Sequence, residues 1–183
     1  MPVRRLEAEA IRDSLLAISG RLDKRMYGPS VLPYLTPFMN GRGKPDRSGP
    51  LDGDGRRTIY LNVRRNFLSP MLLSFDYPIP ATTIGRRSVS NVPAQALTML
   101  NNPFVLQQAQ LWAKRTLAET SLTPEQRINH LYIAAFARPP QPDELESAKQ
   151  FLEEQQKQYS DPIKPWNDLC HVLINVKEFI FVN

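Results

Sequence analysis

Residues 92–131 read "VPAQALTMLNNPFVLQQAQLWAKRTLAETSLTPEQRINHL", and three helix-start signals follow one another within that stretch. Pro93 stands at a first helical position, where a missing N–H is no loss. Asn102-Pro103 joins a capping side chain to the same device, and Thr123-Pro124-Glu125-Gln126 is a capping box with proline in its first turn. A fourth signal, Pro142-Asp143-Glu144, opens "LESAKQFLEEQQKQY". Behind these starts the apolar residues keep a three-four spacing: Ile128, Leu131, Tyr132, Ala135 and Phe136, then Trp166, Leu169, Cys170, Leu173 and Ile174. Residues 93–183 therefore predict a run of helices whose stripes pack together. "EEQQKQ" reads as a solvated helix face, and "VKEFIFV" predicts a final turn or a short strand closing the core.

Toward the N-terminus the grammar changes. "RRLEAEAIRDSLLAISG" predicts a helix over residues 3–19, with Ile11, Leu15 and Ile18 on one face and Gly20 as its stop. Ten of the 17 prolines lie between Pro29 and Pro103, and residues 28–55, "GPSVLPYLTPFMNGRGKPDRSGPLDGDG", predict a long irregular excursion. "RRTIYLNVRR" (56–65) alternates Ile59, Leu61 and Val63 and predicts a short strand, with the extended "VLPYL" of 31–35 as its partner. "NFLSPMLLSFD" predicts a short helix ending near Asp76, followed by an ordered loop, "YPIPATTIGRRSVSN". The fold expected is mainly α: one helical domain over 1–183, basic and Pro-rich in 1–92 and helical in 93–183, with a small two-stranded β element and a long Pro-rich irregular segment.

The charge is uneven. Residues 1–87 hold 15 of the 23 Lys and Arg against 8 Asp and Glu, whereas residues 88–183 hold 8 against 10. Sixteen of the cations are Arg, with pairs at Arg4-Arg5, Arg56-Arg57, Arg64-Arg65 and Arg86-Arg87. Arginine suits bidentate recognition of carboxylate, sulfate or phosphate, and it equally suits internal ion pairs.

The single cysteine, Cys170, excludes an internal disulfide, and no apolar run approaches the ~20 residues of a membrane-spanning helix. His130 and His171 lack metal-ligand spacing, so no metal site is expected. "DGDG" (52–55) lacks the remaining ligands of a calcium loop and reads as a turn; no C-x-x-C-H, P-loop, dinucleotide fingerprint or G-x-S-x-G is present. No catalytic residue is assigned. Nucleic-acid binding is disfavoured, because the arginines are scattered pairs without a reading helix.

One loop carries two readings. As an anion site, Arg86, Arg87, Ser88, Asn91 and Gln95 would gather at the start of the Pro93 helix, with Arg64 and Arg65 supplying further cations. As a structural tie, Ser90 or Asn91 would cap that helix while Arg86 or Arg87 paired with Asp76.

The run "YLNVRRNFLSPMLLSFDYPIPATTIGRRSVSNVPAQALTMLNNPFV", with "LYIAAFARPPQPDELESAKQFL" and "WNDLCHVLINVKEFIFV", resembles the C-terminal part of a planctomycete cytochrome-linked family known as domain of unknown function 1553. The resemblance implies context and no chemistry. Such chains are large and exported, with a c-type haem module upstream, so it implies an extracytoplasmic (periplasmic or cell-surface) fragment that holds no cofactor itself. Taken with the residues, that context predicts a non-catalytic interaction module that docks on those upstream domains or, through its Arg-rich first half, on an acidic protein or glycan; the alternative is part of an enzyme whose loop at 84–95 binds an acidic or sulfated glycan. Two departures from the family pattern, Gln141 where a hydroxyl cap is usual and Ala137 where Gly is usual, touch helix ends alone.

Overall fold

In the computed structural model, which describes residues 3–81 and 83–182, the helix-start signals take effect where they stand. The elements run β1 (Arg4–Arg5), α1 (Ala8–Ile18), α2 (Pro70–Ser74), α3 (Pro93–Asn101), α4 (Pro103–Ala118), α5 (Pro124–Phe136), α6 (Pro142–Gln158), α7 (Ile163–Asn175), α8 (Lys177–Ile180) and β2 (Phe181–Val182). Asn102 accepts the Phe104 N–H at 3.0 Å to cap α4, and both bonds of the Thr123–Gln126 capping box form on α5. At α6 the Gln141 N–H donates to Glu144 at 2.7 Å, the half of a capping box that the carboxylate three residues on supplies.

Helix α7 organises the core. It packs against α3, α4, α5, α6 and α8, and its stripe of Trp166, Leu169, Cys170, Leu173 and Ile174 is buried. Val105 and Trp112 of α4, Ile128 and Leu131 of α5, and Ile11, Leu15 and Leu16 of α1 complete the same cluster. Cys170 is fully buried and its thiol is pushed well up by that burial, as expected of a core residue. The His171 Nε2 meets the Met99 carbonyl at 3.2 Å.

The N-terminal helix is shorter than residues 3–19. The backbone of Arg4 and Arg5 instead pairs antiparallel with Val182 and Phe181, and Leu6 donates to the Ile180 carbonyl at 2.8 Å. "VKEFIFV" thus supplies both a turn, α8, and a strand, β2. Gly20 ends the first helix as expected, at φ 76°, where an added Cβ would lie 3.0 Å from Arg115.

The two-stranded element lies between the chain's extremities and not at 56–65. There the backbone forms a 3-10 turn at Thr58–Tyr60, just after another at Gly53–Gly55, and touches 31–35 through a single parallel bridge, Val31–Leu61. Buried Arg12 is the reason. Its Nη1 donates to the Arg56 carbonyl at 3.0 Å and to Thr58 Oγ1 at 3.1 Å, and its Nη2 to the Asp52 carbonyl at 2.7 Å. Asp13 accepts the Thr58 N–H at 2.8 Å. With these groups committed to α1, Tyr60 and Leu61 fold back on the Arg57 and Thr58 carbonyls and no ladder can form. The rest of 28–55 is irregular, and Asp52 of "DGDG" accepts from Arg21 and from the Asp54 N–H, a turn as its composition implied.

Candidate functional site

The loop between α2 and α3 begins at Asp76, which takes φ 62°, and its described residues end at the first turn of α3; Thr82 lies outside the described residues. Asp76 is structurally paired, with a partner other than the two arginines considered from sequence. Its Oδ2 accepts from Arg5 Nη2 at 2.8 Å and from the Ser90 N–H at 2.8 Å, and its Oδ1 accepts from the Ser90 hydroxyl at 2.9 Å. Arg5 Nη1 donates onward to the Ser90 carbonyl at 2.7 Å, and Gln95 Nε2 donates to Ser90 Oγ at 3.1 Å. Four elements meet in this knot: β1, the end of α2, the end of the loop and the start of α3.

The knot is largely dry, with the Arg5 and Asp76 side chains 3% and 19% exposed. Burial pushes the Asp76 carboxyl up, but the Ser90 N–H, the Arg5 guanidinium and the Ser90 hydroxyl outweigh it and hold the group below its usual value. Because the Ser90 hydroxyl is turned to Asp76, it does not cap α3. Val92 occupies the N-cap position without a side-chain cap, so neither Ser90 nor Asn91 acts there.

The arginines of the loop stand outside the knot. Arg87 lies between Glu7 at 3.0 Å and Glu9 at 2.9 Å, and the Glu9 hydrogen bond foremost, with both negative charges, raises its pKa. Arg86 and Ser88 are exposed, and Arg86 makes no ion pair among the described residues. Arg64 and Arg65 are exposed in a turn closed by the Phe67 N–H on the Arg64 carbonyl.

Asn91 and Gln95, by contrast, border a groove of about 320 Å³ between α3, α7 and α8, walled by Val92, Ala96, Ile174 and Ile180. Lys177 stands at its edge and no carboxylate lines it. Arg64, Arg65, Arg86, Arg87 and Ser88 line neither this groove nor the four other main clefts. Beside the groove, Pro93, Ala96, Leu97 and Leu100 occupy one arc of α3 and are all exposed, Leu97 by 58%. The fold thus divides the seven residues considered for an anion site between a groove wall and separate surface positions.

Among the described residues no group of three or more His, Cys, Asp and Glu is placed to hold a metal ion, and no helix is long and apolar enough to cross a membrane. His130 lines a separate cleft of about 360 Å³ with Arg115, Thr116 and Glu119, where Arg115 donates to the Ile18 carbonyl at 3.3 Å.

A family model described as PSD1, a protein of unknown function (DUF1553), matches residues 1–152. The chain belongs to this family. No curated protein and no solved structure matches it. The PSD1 match covers the knot, the loop and all of α3, while α7, α8 and β2, which wall the groove on its other side, lie beyond the matched residues. Sequence reading missed this half of the groove, since Lys177 and Ile180 carry no motif. It also missed Arg5, although the Arg4-Arg5 pair was a visible signal.

Proposed function

We propose that this PSD1 domain is a non-catalytic interaction module that docks through α3 and the groove beside it. The observation that carries the reading is the outward arc of Pro93, Ala96, Leu97 and Leu100, continuous with an apolar groove that no carboxylate lines. An exposed apolar face rimmed by polar groups is a common form of interaction site. With Lys177 lining the groove outside any ion pair among the described residues, the partner surface that fits is apolar with an acidic flank. The resemblance to exported, haem-linked chains supplies the partner proposed: an upstream domain of that architecture, in an extracytoplasmic setting, with any haem held by the partner.

The test is calorimetric titration of the domain with separately produced upstream domains of the family architecture. The wild type is expected to bind, and Leu97→Asp/Leu100→Asp to bind at least about tenfold more weakly, on the order of 1.4 kcal/mol, with an unchanged melt. Equal binding by the variant, or none by the wild type, would overturn the proposal.

A further inference from the structure

A second surface, separate from the α3 groove, lies on the excursion after α1. Tyr27 takes φ 63°, a left-handed conformation that a bulky side chain disfavours. The fold holds it there from both sides. Its N–H donates to the Tyr60 hydroxyl at 2.7 Å, and its carbonyl accepts from Arg56 Nη2 at 2.6 Å. Arg56 is itself buried, lies 4.0 Å over the Tyr60 ring and donates to the Arg25 carbonyl at 3.2 Å. Yet the residue so firmly held is 80% exposed. None of this apparatus buries the ring; it holds the backbone that carries the ring out to solvent. Strain maintained by surrounding bonds, with no core contact in return, is the mark of a functional position.

The surroundings indicate what the ring meets. Tyr27 borders an open cleft of about 340 Å³ with Arg25, Met26, Pro29, Val31 and Asp54. Arg57 Nη1 approaches within 3.9 Å of Met26 Sδ. Arg25 is steadied by Asp23 at 2.8 Å with its side chain still exposed, and the Asp54 carboxylate makes no ion pair among the described residues. One cleft thus holds an exposed aromatic ring, the Asp54 carboxylate and the Arg25 guanidinium, whose Nε and Nη2 meet Asp23, and these groups together suit a pyranose ring. Its C–H face lies on the aromatic face, its hydroxyls donate to the carboxylate, and an acidic substituent accepts from the guanidinium. Met26, Pro29 and Val31 also give the cleft an apolar wall, so an acidic peptide is the rival occupant that the test has to separate from a sugar.

We infer that the cleft around Tyr27 binds an anionic sugar, a uronate or sulfated pyranose within a polysaccharide, with Tyr27 as the stacking platform, Arg25 as the anion contact and Asp54 as the hydroxyl acceptor. This site is independent of the α3 reading and either can fail alone.

The test titrates the domain with polygalacturonate, chondroitin sulfate, neutral dextran and an acidic peptide at one fixed near-physiological ionic strength, for the wild type and for Tyr27→Gly, Arg25→Ala and Arg86→Ala/Arg87→Ala. Glycine accepts the left-handed backbone, so Tyr27→Gly is expected to melt no lower than the wild type while losing at least about tenfold in affinity for the acidic polysaccharide. Arg25→Ala is expected to lose the preference for acidic over neutral polymer, and the Arg86/Arg87 variant to bind as the wild type does. Three results would each overturn the inference: no saturable binding of either acidic polysaccharide, undiminished binding by Tyr27→Gly, or a preference for the acidic peptide that Tyr27→Gly abolishes, which would make the cleft a protein interface.

Discussion

Arg5 and Arg87 are two arginines with acidic partners and very different weight. Arg5 meets Asp76 where little water reaches, and removing one member of such a pair leaves a charge uncompensated, at a cost of about 3 kcal/mol. Asp76→Asn isolates that effect, since Asn tolerates the left-handed φ of 62°. Arg87, at 41% exposure between Glu7 and Glu9, sits in high dielectric, so Arg87→Ala is expected to cost about 0.5 kcal/mol. Urea melts of both variants check the contrast. The pH dependence follows from the depressed Asp76 carboxyl. Its stabilisation is present above the unfolded carboxylate pKa of about 4 and is lost as pH falls through the lower folded value, so the gap between wild type and Asp76→Asn should close under acid. The sequence made Asp76 visible as a pairing residue. Its partner could not be read from a distance of 71 residues, where Arg86 and Arg87 were merely nearer along the chain.

Helix starts were legible because each depends on a few adjacent atoms: Asn102 on the Phe104 N–H, Thr123 on the Gln126 N–H. The expected strand at 56–65 rested on alternation alone, and alternation does not reveal that Arg12 and Asp13, forty-odd positions earlier, take the Arg56 carbonyl and the Thr58 N–H. Ile59, one of the alternating residues, ends up facing solvent. At helix ends a single residue can still be improved. Ala137 closes α5 at φ 57°, a conformation in which an L-residue is disfavoured by about 1 kcal/mol, and Ala137→Gly is expected to recover about that much in a chemical melt.

The whole molecule depends on its last helices. Helix α7 contacts every helix from α3 to α6, so a chain ending at residue 152 would lose the end of α6, all of α7 and the second strand of the sheet. Such a truncation is expected to show no cooperative thermal transition by circular dichroism, although it spans the whole PSD1 match. A cooperative melt would show that residues 1–152 fold alone. The β element was the least legible pairing at this scale: "VKEFIFV" allowed a closing strand, but Arg4-Arg5, its partner at the other extremity, carries no strand pattern. Their antiparallel pairing also sets how the domain answers to pulling. Tension applied at residues 3 and 182 would load β1 and β2 as a zipper, one hydrogen bond at a time. The next joint along the N-terminal path is the clasp of Arg5 on Asp76 and Ser90. A pull would therefore loosen the footing of α3 before it strained the packing of α4 on α7.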